Sequence, residues 1–267
     1  MATTPTTAFL PRLPTVDRYP IMALREELER TGNWLFARRS YLPLILFIPI
    51  LLALRTYRYP EGREDLDLVW EMICLSVGMV GLAIRVLTIA HAPAGTSGRN
   101  TSGQVAAGLN TSGMYSLVRH PLYLGNYFMW LAPALFPMKW WVPVLVTLVF
   151  WLYYERIMFA EEEFLRRVFG KDYESWSERT PAFIPRTLRW EAPALPFSAR
   201  NVLRREYSGF FGLIATFMVL EFASDLAATG KPQLDPIWMA IFGSSFVVYA
   251  ALRVLKRQTR LLHVDGR

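Results

Sequence analysis

Cysteine, histidine and charge are all scarce in this chain of 267 residues. The one cysteine, Cys74, lies in an apolar stretch, so neither a disulfide framework nor a thiolate metal site can form within one chain. The three histidines, His91, His120 and His263, are too far apart for a metal-binding pattern such as H-E-x-x-H. We therefore expect no metal-binding site in this chain.

Charged residues make up only 19% of the chain, whereas hydrophobic residues make up 53%. This is more apolar surface than one soluble core requires, so we expect lipid to cover the remainder. Six apolar stretches with little or no charge run over residues 41–54, 69–90, 122–137, 140–154, 207–220 and 236–252. Several are shorter than the roughly 20 residues that a straight spanning helix needs, so flanking Trp, Tyr and Arg must complete them. The sequence predicts an all-α, polytopic integral membrane protein with about six transmembrane helices.

The N-terminal region has its own pattern. Residues 1–20 lack a continuous apolar core, so we expect no signal peptide. Leu24, Leu28 and Leu35 follow helical spacing among charged residues, which predicts an amphipathic helix at the membrane interface. The predicted organisation is an N-terminal interfacial segment over residues 1–40, a membrane core over residues 41–205 and two additional transmembrane helices over residues 206–267.

Lys and Arg are unevenly distributed over the loops of this topology. Most lie in the N-terminal segment, between spans two and three, between spans four and five, and at the C-terminus. The alternate loops hold only Arg55, Arg58, Arg63, Lys139 and Lys231. The positive-inside rule then places both termini in the cytoplasm. We interpret the net charge of +7 chiefly as a consequence of this topology, together with attraction to anionic lipid headgroups. Because the sequence has no separate basic domain, nucleic-acid binding is the weaker explanation.

Two motifs carry the polar residues that could do chemistry. Residues 116–125 read Ser-Leu-Val-Arg-His-Pro-Leu-Tyr-Leu-Gly at the start of the third apolar stretch. After the fourth stretch come the adjacent Glu161 and Glu162, followed by Phe-Gly-x-x-Tyr over residues 169–173. This combination resembles the isoprenylcysteine carboxyl methyltransferase family of integral-membrane enzymes, whose wider group includes phospholipid methyltransferases. The resemblance covers about residues 85–185 and implies methyl transfer from S-adenosylmethionine to a lipid or lipid-linked acceptor, with the cofactor site on the cytoplasmic side.

The first motif suits a cofactor site. Pro121 fits the first turn of a helix, where its missing amide is not needed, and His120 can donate a hydrogen bond to a ligand. The ring of Tyr123 can face a sulfonium cation, and Gly125 allows a flat adenine or a neighbouring helix to approach closely. The same residues would also suit an N-capped transmembrane helix with an interfacial aromatic belt. By resemblance, the predicted cofactor-binding residues are Arg119, His120, Pro121, Leu122, Tyr123, Gly125, Asn126, Glu161 and Glu162.

The predicted catalytic residues are Arg85, Arg156 and Glu162. Adjacent residues on a helix project about 100 degrees apart, so at most one of Glu161 and Glu162 points squarely into a site. Both could instead form a solvated helix start that the helix dipole favours. Arg85 and Arg156 lie at or near bilayer depth, where an unpaired charge is costly, so each could neutralise an anionic acceptor. Arg85 could equally extend to the interface.

The acceptor and the reaction class stay open at this point. A phosphate or carboxylate of a lipid is favoured over an amine, because Arg85, Arg119 and Arg156 would repel an ammonium group. Phospholipid amine N-methylation is the alternative within the family. An NADPH-dependent membrane reductase of the steroid-reductase type and a non-enzymatic membrane scaffold are the alternatives outside it. The glycines between residues 93 and 113 follow no strand, so they do not form the fingerprint of the soluble methyltransferases; we expect a mobile loop or a lid there.

Overall fold

A computed structural model of the protein describes residues 23–96, 104–186 and 189–267. Within these residues the chain forms eight α-helices and no β-strand. The helices are α1 (Leu24–Arg38), α2 (Phe47–Leu54), α3 (Glu64–Ala90), α4 (Pro121–Leu135), α5 (Trp141–Phe169), α6 (Lys171–Arg179), α7 (Ala199–Thr229) and α8 (Pro236–Gln258). The predicted all-α fold is confirmed.

Length and apolar composition decide which of these helices can cross a bilayer. Four are long and apolar enough, namely α3, α5, α7 and α8, and α1 with residues 42–54 forms a pair bent by 84° that could count as a fifth span. The 15 residues of α4 rise only about 22 Å, which is short of a hydrocarbon core about 30 Å thick. The described residues therefore make an integral membrane protein with four or five candidate spans, and the predicted number of about six is not confirmed.

The fifth helix is longer than the apolar pattern suggests. It is continuous over 29 residues, although the apolar stretch inside it ends at Tyr154. The residues that follow are mostly good helix formers, so nothing interrupts the helix before Gly170, whose φ is +51°. Glu161 and Glu162 thus belong to the last turns of α5 and do not begin a separate helix. A long, packed helix holds their backbone in place.

The helices pack so that the predicted site residues meet at one end of the bundle. α3 contacts both α4 and α7, α8 packs on α7, and α1 packs along α5. The α1–α5 contact includes ion pairs between Arg25 and Glu163 and, at 2.7 Å, between Arg167 and Glu29. The C-terminal ends of α3 and α5 and the N-terminal ends of α4 and α7 lie at this same end.

The structure bears on the predicted division of the chain in two places. Residues 1–22 of the predicted interfacial segment lie outside the described residues, and the rest of that segment contains α1. The predicted division after residue 205 falls inside α7. Residues 199–205 of the predicted core and the first residues of the predicted C-terminal part therefore belong to one continuous helix.

Candidate functional site

A cavity of about 780 Å³ lies between α1, α3, α4, α5 and α7. Most of the residues predicted to form a site line it, namely Arg85, Arg119, His120, Pro121, Leu122, Tyr123, Asn126 and Glu161. Its volume is within the range of about 300–1,000 Å³ that small-molecule sites occupy. Residues 104–106 and 108–110 form part of its wall. They belong to the glycine-rich loop, of which residues 97–103 lie outside the described residues.

The first motif enters the cavity at the start of α4. His120 is the N-cap residue and Pro121 occupies the first helical position, as the sequence predicts. The backbone amides of Arg119 and His120 donate to the carbonyls of Pro181 (2.9 Å) and Ala182 (3.1 Å). These two amides therefore have hydrogen-bond acceptors within the protein. They tie the segment after α6 to the cavity wall.

Glu162 forms an ion-pair centre beside the cavity. It accepts two hydrogen bonds from Arg119, from Nε at 2.9 Å and from Nη2 at 3.2 Å, and its Oε1 lies 3.0 Å from Nε2 of His120. Nη1 of Arg119 also donates to the carbonyls of Ser177 (2.8 Å) and Thr180 (2.9 Å). Glu162 does not line the cavity itself. Its contacts hold α5, the start of α4 and the end of α6 together.

Glu161 faces the cavity, unlike its neighbour. Its Oε1 accepts a hydrogen bond from the hydroxyl of Tyr123 at 2.7 Å, and its Oε2 lies 3.5 Å from Nδ1 of His120. His120 is buried between the two carboxylates. Burial alone would lower the pKa of His120, but the hydrogen bonds and charges of Glu161 and Glu162 outweigh it and raise that pKa. The two glutamates therefore share one histidine while only Glu161 is presented to a ligand.

A second network joins three helices on another wall of the cavity. Arg85 of α3 pairs with both oxygens of Glu206 of α7, through Nε at 2.7 Å and Nη2 at 2.8 Å. Its Nη1 donates to the side-chain oxygen of Asn126 of α4 at 2.6 Å. The anion against Arg85 is thus Glu206. Aromatic rings continue this wall, since Tyr154 lies 4.9 Å from Tyr123 between ring centroids.

Besides Glu162, two predicted site residues do not line the cavity. Gly125 faces α3, where a Cβ added to it would lie 2.5 Å from Cγ of Arg85 and 2.7 Å from the carbonyl oxygen of Gly81. From the sequence, Gly125 is expected to let either an adenine ring or a neighbouring helix approach closely. In the structure the neighbouring helix α3 occupies this position. Arg156 does not line the cavity, and its Nη1 donates to the carbonyl of Leu152 one turn earlier on α5, at 2.8 Å. The structure does not bring Arg156 to the other site residues.

Several lining residues were not among the predicted ones. Among them are Phe36 of α1, Arg39, Tyr115, Tyr154 of α5, and Arg205 and Glu206 of α7. Glu206 stands directly before the apolar stretch over residues 207–220. A charge in or near the membrane needs a partner, and this position is the feature of the sequence that could have identified Glu206. Nothing in the sequence pairs it with Arg85, which is 121 residues away.

These features define a helical membrane protein with a charged, ligand-sized cavity at one end of its bundle. Residues 70–172 match the family model described as phospholipid methyltransferase. That segment contains every predicted site residue, and the resemblance predicted from the two motifs is confirmed. Glu206 lies beyond the match.

Named relatives are similar to parts of the chain. Over 126 residues it is 32% identical to the cobalt-zinc-cadmium resistance protein CzcN of Cupriavidus metallidurans, which covers 47% of this chain and 56% of that protein. Over 78 residues it is 35% identical to the protein-S-isoprenylcysteine O-methyltransferase of Schizosaccharomyces pombe, covering 29% of this chain and 33% of that protein. A probable protein-S-isoprenylcysteine O-methyltransferase of Oryza sativa subsp. japonica is 25% identical over 163 residues, covering 58% of this chain and 81% of that protein. The chain thus spans little more than half the length of CzcN, and no solved structure matches it.

Proposed function

We propose that this protein is an S-adenosylmethionine-dependent methyltransferase that acts on a lipid or lipid-linked acceptor in a membrane. The observation that carries the proposal is that both motifs, far apart in the sequence, converge on one cavity. The family match and the two isoprenylcysteine methyltransferase relatives support it. A reductase that uses NADPH is not favoured by these comparisons.

The residues around the cavity fit the proposed cofactor. S-adenosylmethionine, when bound, supplies a methyl group that a positively charged sulfur has already activated. Glu161 offers a carboxylate to a cationic ligand, and the rings of Tyr123 and Tyr154 suit a sulfonium. Asn126 and His120 supply polar edges beside them. The protein's part in the reaction is to bind and orient the two reactants and to exclude water.

We further propose an acidic oxygen as the acceptor. Among the described lining residues are four arginines, Arg39, Arg85, Arg119 and Arg205, and two glutamates, Glu161 and Glu206, while a third glutamate, Glu162, pairs with Arg119 beside the cavity. The excess of positive charge favours an anionic lipid group over an ammonium group. Such a phosphate or carboxylate is already ionised at neutral pH, so it needs no general base. The distribution of Lys and Arg supports a cytoplasmic position for the cavity and for both termini.

Calorimetry of the purified protein in detergent tests the cofactor. We expect S-adenosylhomocysteine to bind and NADPH not to bind; the reverse result would overturn the proposal in favour of a reductase. Lipid mass spectrometry of cells with and without the protein then identifies the acceptor as the species that gains one methylene mass.

The pH dependence of methyl transfer distinguishes the two kinds of acceptor. With an acidic oxygen we expect activity to persist well below neutrality, because the nucleophile stays ionised. With an amine the rate would rise roughly tenfold per pH unit below the pKa of the amine. A steep rise together with methylated amine headgroups would replace the acidic acceptor by an amine.

A further inference from the structure

Four carboxylates are buried together at the end of the bundle opposite the cavity. Asp67 and Glu71 project from the start of α3, and Glu221 and Asp225 project from the end of α7. Their exposed fractions are 3%, 2%, 6% and 5%, respectively. We call these four residues the acidic cluster. Neither the family motifs nor the proposed methyl transfer uses it.

The hydrogen-bond donors around the acidic cluster are neutral and too few. The hydroxyl of Tyr57 donates to Asp67, and that of Tyr59 donates to Asp225 at 2.8 Å. The indole Nε1 of Trp238 donates to Oε2 of Glu71 at 2.7 Å. In the part of the chain that the structure describes, no N–H or hydroxyl group donates to the buried Oε1 of Glu71 or Oε2 of Glu221, and the carboxyl groups of Glu71 and Glu221 lie within hydrogen-bond reach of each other.

Charge makes this arrangement costly for the protein chain alone. Among the described residues, no Lys, Arg or His forms an ion pair with any of the four carboxylates. Buried like charges repel one another, and each loses its hydration. Asp225 also lies in the last two turns of α7, where the negative end of the helix dipole disfavours a further negative charge. A cation would relieve all three effects at once.

The oxygen positions fit a single ion. One carboxylate oxygen from each of Asp67, Glu221 and Asp225 lies within 4.8 Å of the other two. Two oxygens that bind the same Ca²⁺ at about 2.3–2.6 Å can be at most about 5 Å apart. Carboxylates without thiolate or imidazole select hard cations such as Mg²⁺, Ca²⁺ and Mn²⁺. The unpartnered oxygen of Glu221 belongs to this group of three residues, and that of Glu71 lies on the same helix face as Asp67, one turn away.

We propose that the acidic cluster binds a hard divalent cation that joins the start of α3 to the end of α7. Asp67, Glu221 and Asp225 supply the ligands, and Glu71 supplies further negative charge beside them. The ion would stabilise the same pair of helices that holds Arg85 and Glu206 at the opposite end. This site is separate from the proposed methyltransferase cavity, so either can exist without the other.

Thermal unfolding of the purified full chain in detergent tests the site. We expect Ca²⁺, Mg²⁺ or Mn²⁺ to raise the Tm of the chelator-treated protein by several degrees, since ligand binding to the folded state stabilises it. Asp225→Asn and Glu221→Gln should each remove that shift. Asp65→Asn is the matched control, because Asp65 carries the same charge near Asp67 but is exposed to solvent. Elemental analysis should find a cation bound to the wild-type protein and to Asp65→Asn but not to Asp225→Asn.

The results of this experiment distinguish a cation bound at the acidic cluster from protons shared between its carboxyl groups. The proposal is wrong if none of the three cations raises the Tm, or if Asp225→Asn and Glu221→Gln keep the rise in Tm. Carboxyl groups that share protons would then account for the acidic cluster. If the variants do not fold, terbium(III) luminescence of the wild-type protein decides, because Trp238 next to Glu71 can sensitise a bound terbium ion. Emission that Ca²⁺ displaces and that Trp238→Phe reduces supports the site, and absence of emission rules it out.

Discussion

Adjacent glutamates on α5 have different surroundings, although the sequence does not distinguish them. Glu162 is held by Arg119 and His120 outside the cavity lining, whereas Glu161 lines the cavity beside Tyr123. The sequence-based prediction gave Glu162 both a catalytic and a cofactor-binding role. The geometry favours Glu161 as the residue that contacts a ligand and Glu162 as a positioning residue.

Substitution of each glutamate should separate these roles. We expect Glu161→Gln to weaken binding of S-adenosylhomocysteine by roughly tenfold or more, since hydrogen bonds to charged groups contribute about 1.5–3 kcal/mol, with a smaller loss of Tm than in Glu162→Gln. Glu162→Gln should instead lower the Tm, because it leaves Arg119 without its carboxylate. Calorimetry and thermal unfolding measure the two effects, with the exposed Glu174→Gln as the control. Weaker binding in Glu162→Gln at unchanged Tm would reverse the assignment.

His120 should make the stability of the protein depend on pH. Its pKa is raised in the folded protein by Glu161 and Glu162, against the effect of burial. The stabilisation is fully present below the unfolded pKa of about 6.5 and is lost as the pH rises through the higher folded value. We expect the Tm to fall from pH 6 upward, by roughly 2–4 °C for each kcal/mol of lost stabilisation. His120→Gln should flatten this dependence, and an unchanged slope in that variant would assign it to other groups.

Among the helices that position the cavity, α3 and α4 pack with their backbones in close approach. A Cβ added to Gly81 would lie 2.4 Å from the carbonyl oxygen of Gly125, a distance that real Cβ atoms do not adopt. Small residues therefore let the two backbones approach, as is common between membrane helices. This contact places the start of α4, with His120, next to Arg85.

Adding one methyl group at this contact should destabilise the protein. We expect Gly81→Ala and Gly125→Ala to lower the Tm, because overpacking costs about 1–3 kcal/mol. Gly212→Ala is the matched control, since Gly212 lies on α7 with no heavy atom within 4 Å of an added Cβ. Alanine has the higher helix propensity, so the control should be neutral or slightly stabilising. Normal Tm values in Gly81→Ala and Gly125→Ala would show that the helices can separate without loss.

In the whole molecule, the Arg85–Glu206 pair connects the segment that matches the family model to α7. Both side chains are largely buried, and Asn126 adds a contact from α4. The acidic cluster joins the same two helices, α3 and α7, at their other ends. The Arg85–Glu206 pair therefore anchors α7 to the predicted core, and the proposed cation at the acidic cluster would add a second link between the same two helices.

A double-mutant cycle measures the Arg85–Glu206 link. Arg85→Gln or Glu206→Gln alone leaves one buried charge without its partner, which costs about 3–5 kcal/mol. The double variant should lose much less than the sum of the two single losses. Thermal unfolding of the four proteins gives the coupling. If Arg85→Gln keeps its Tm but raises the KM for the lipid acceptor, Arg85 serves the acceptor as the sequence suggested.

The amino-acid sequence alone determined the all-α membrane fold, the resemblance to the family and eight of the residues that line the cavity. Each of these depends on local information: the length of an apolar stretch, a proline at the start of a helix, or the order Arg-His-Pro beside a tyrosine. The start of α4 at Pro121 follows from such a pattern. The continuation of α5 past Tyr154 does not, because the apolar pattern ends there while helix formation continues.

Only the tertiary structure decided which charged residue faces which. Glu206 and Arg85 are 121 residues apart, and the carboxylates of the acidic cluster come from two helices that the sequence separates by more than 100 residues. Whether a charge is paired, buried or presented to a cavity depends on side-chain direction, which turns by about 100 degrees per residue along a helix. For this reason Arg156 does not reach the cavity and Gly125 faces α3, and the partner of a buried charge becomes visible only when the helices pack.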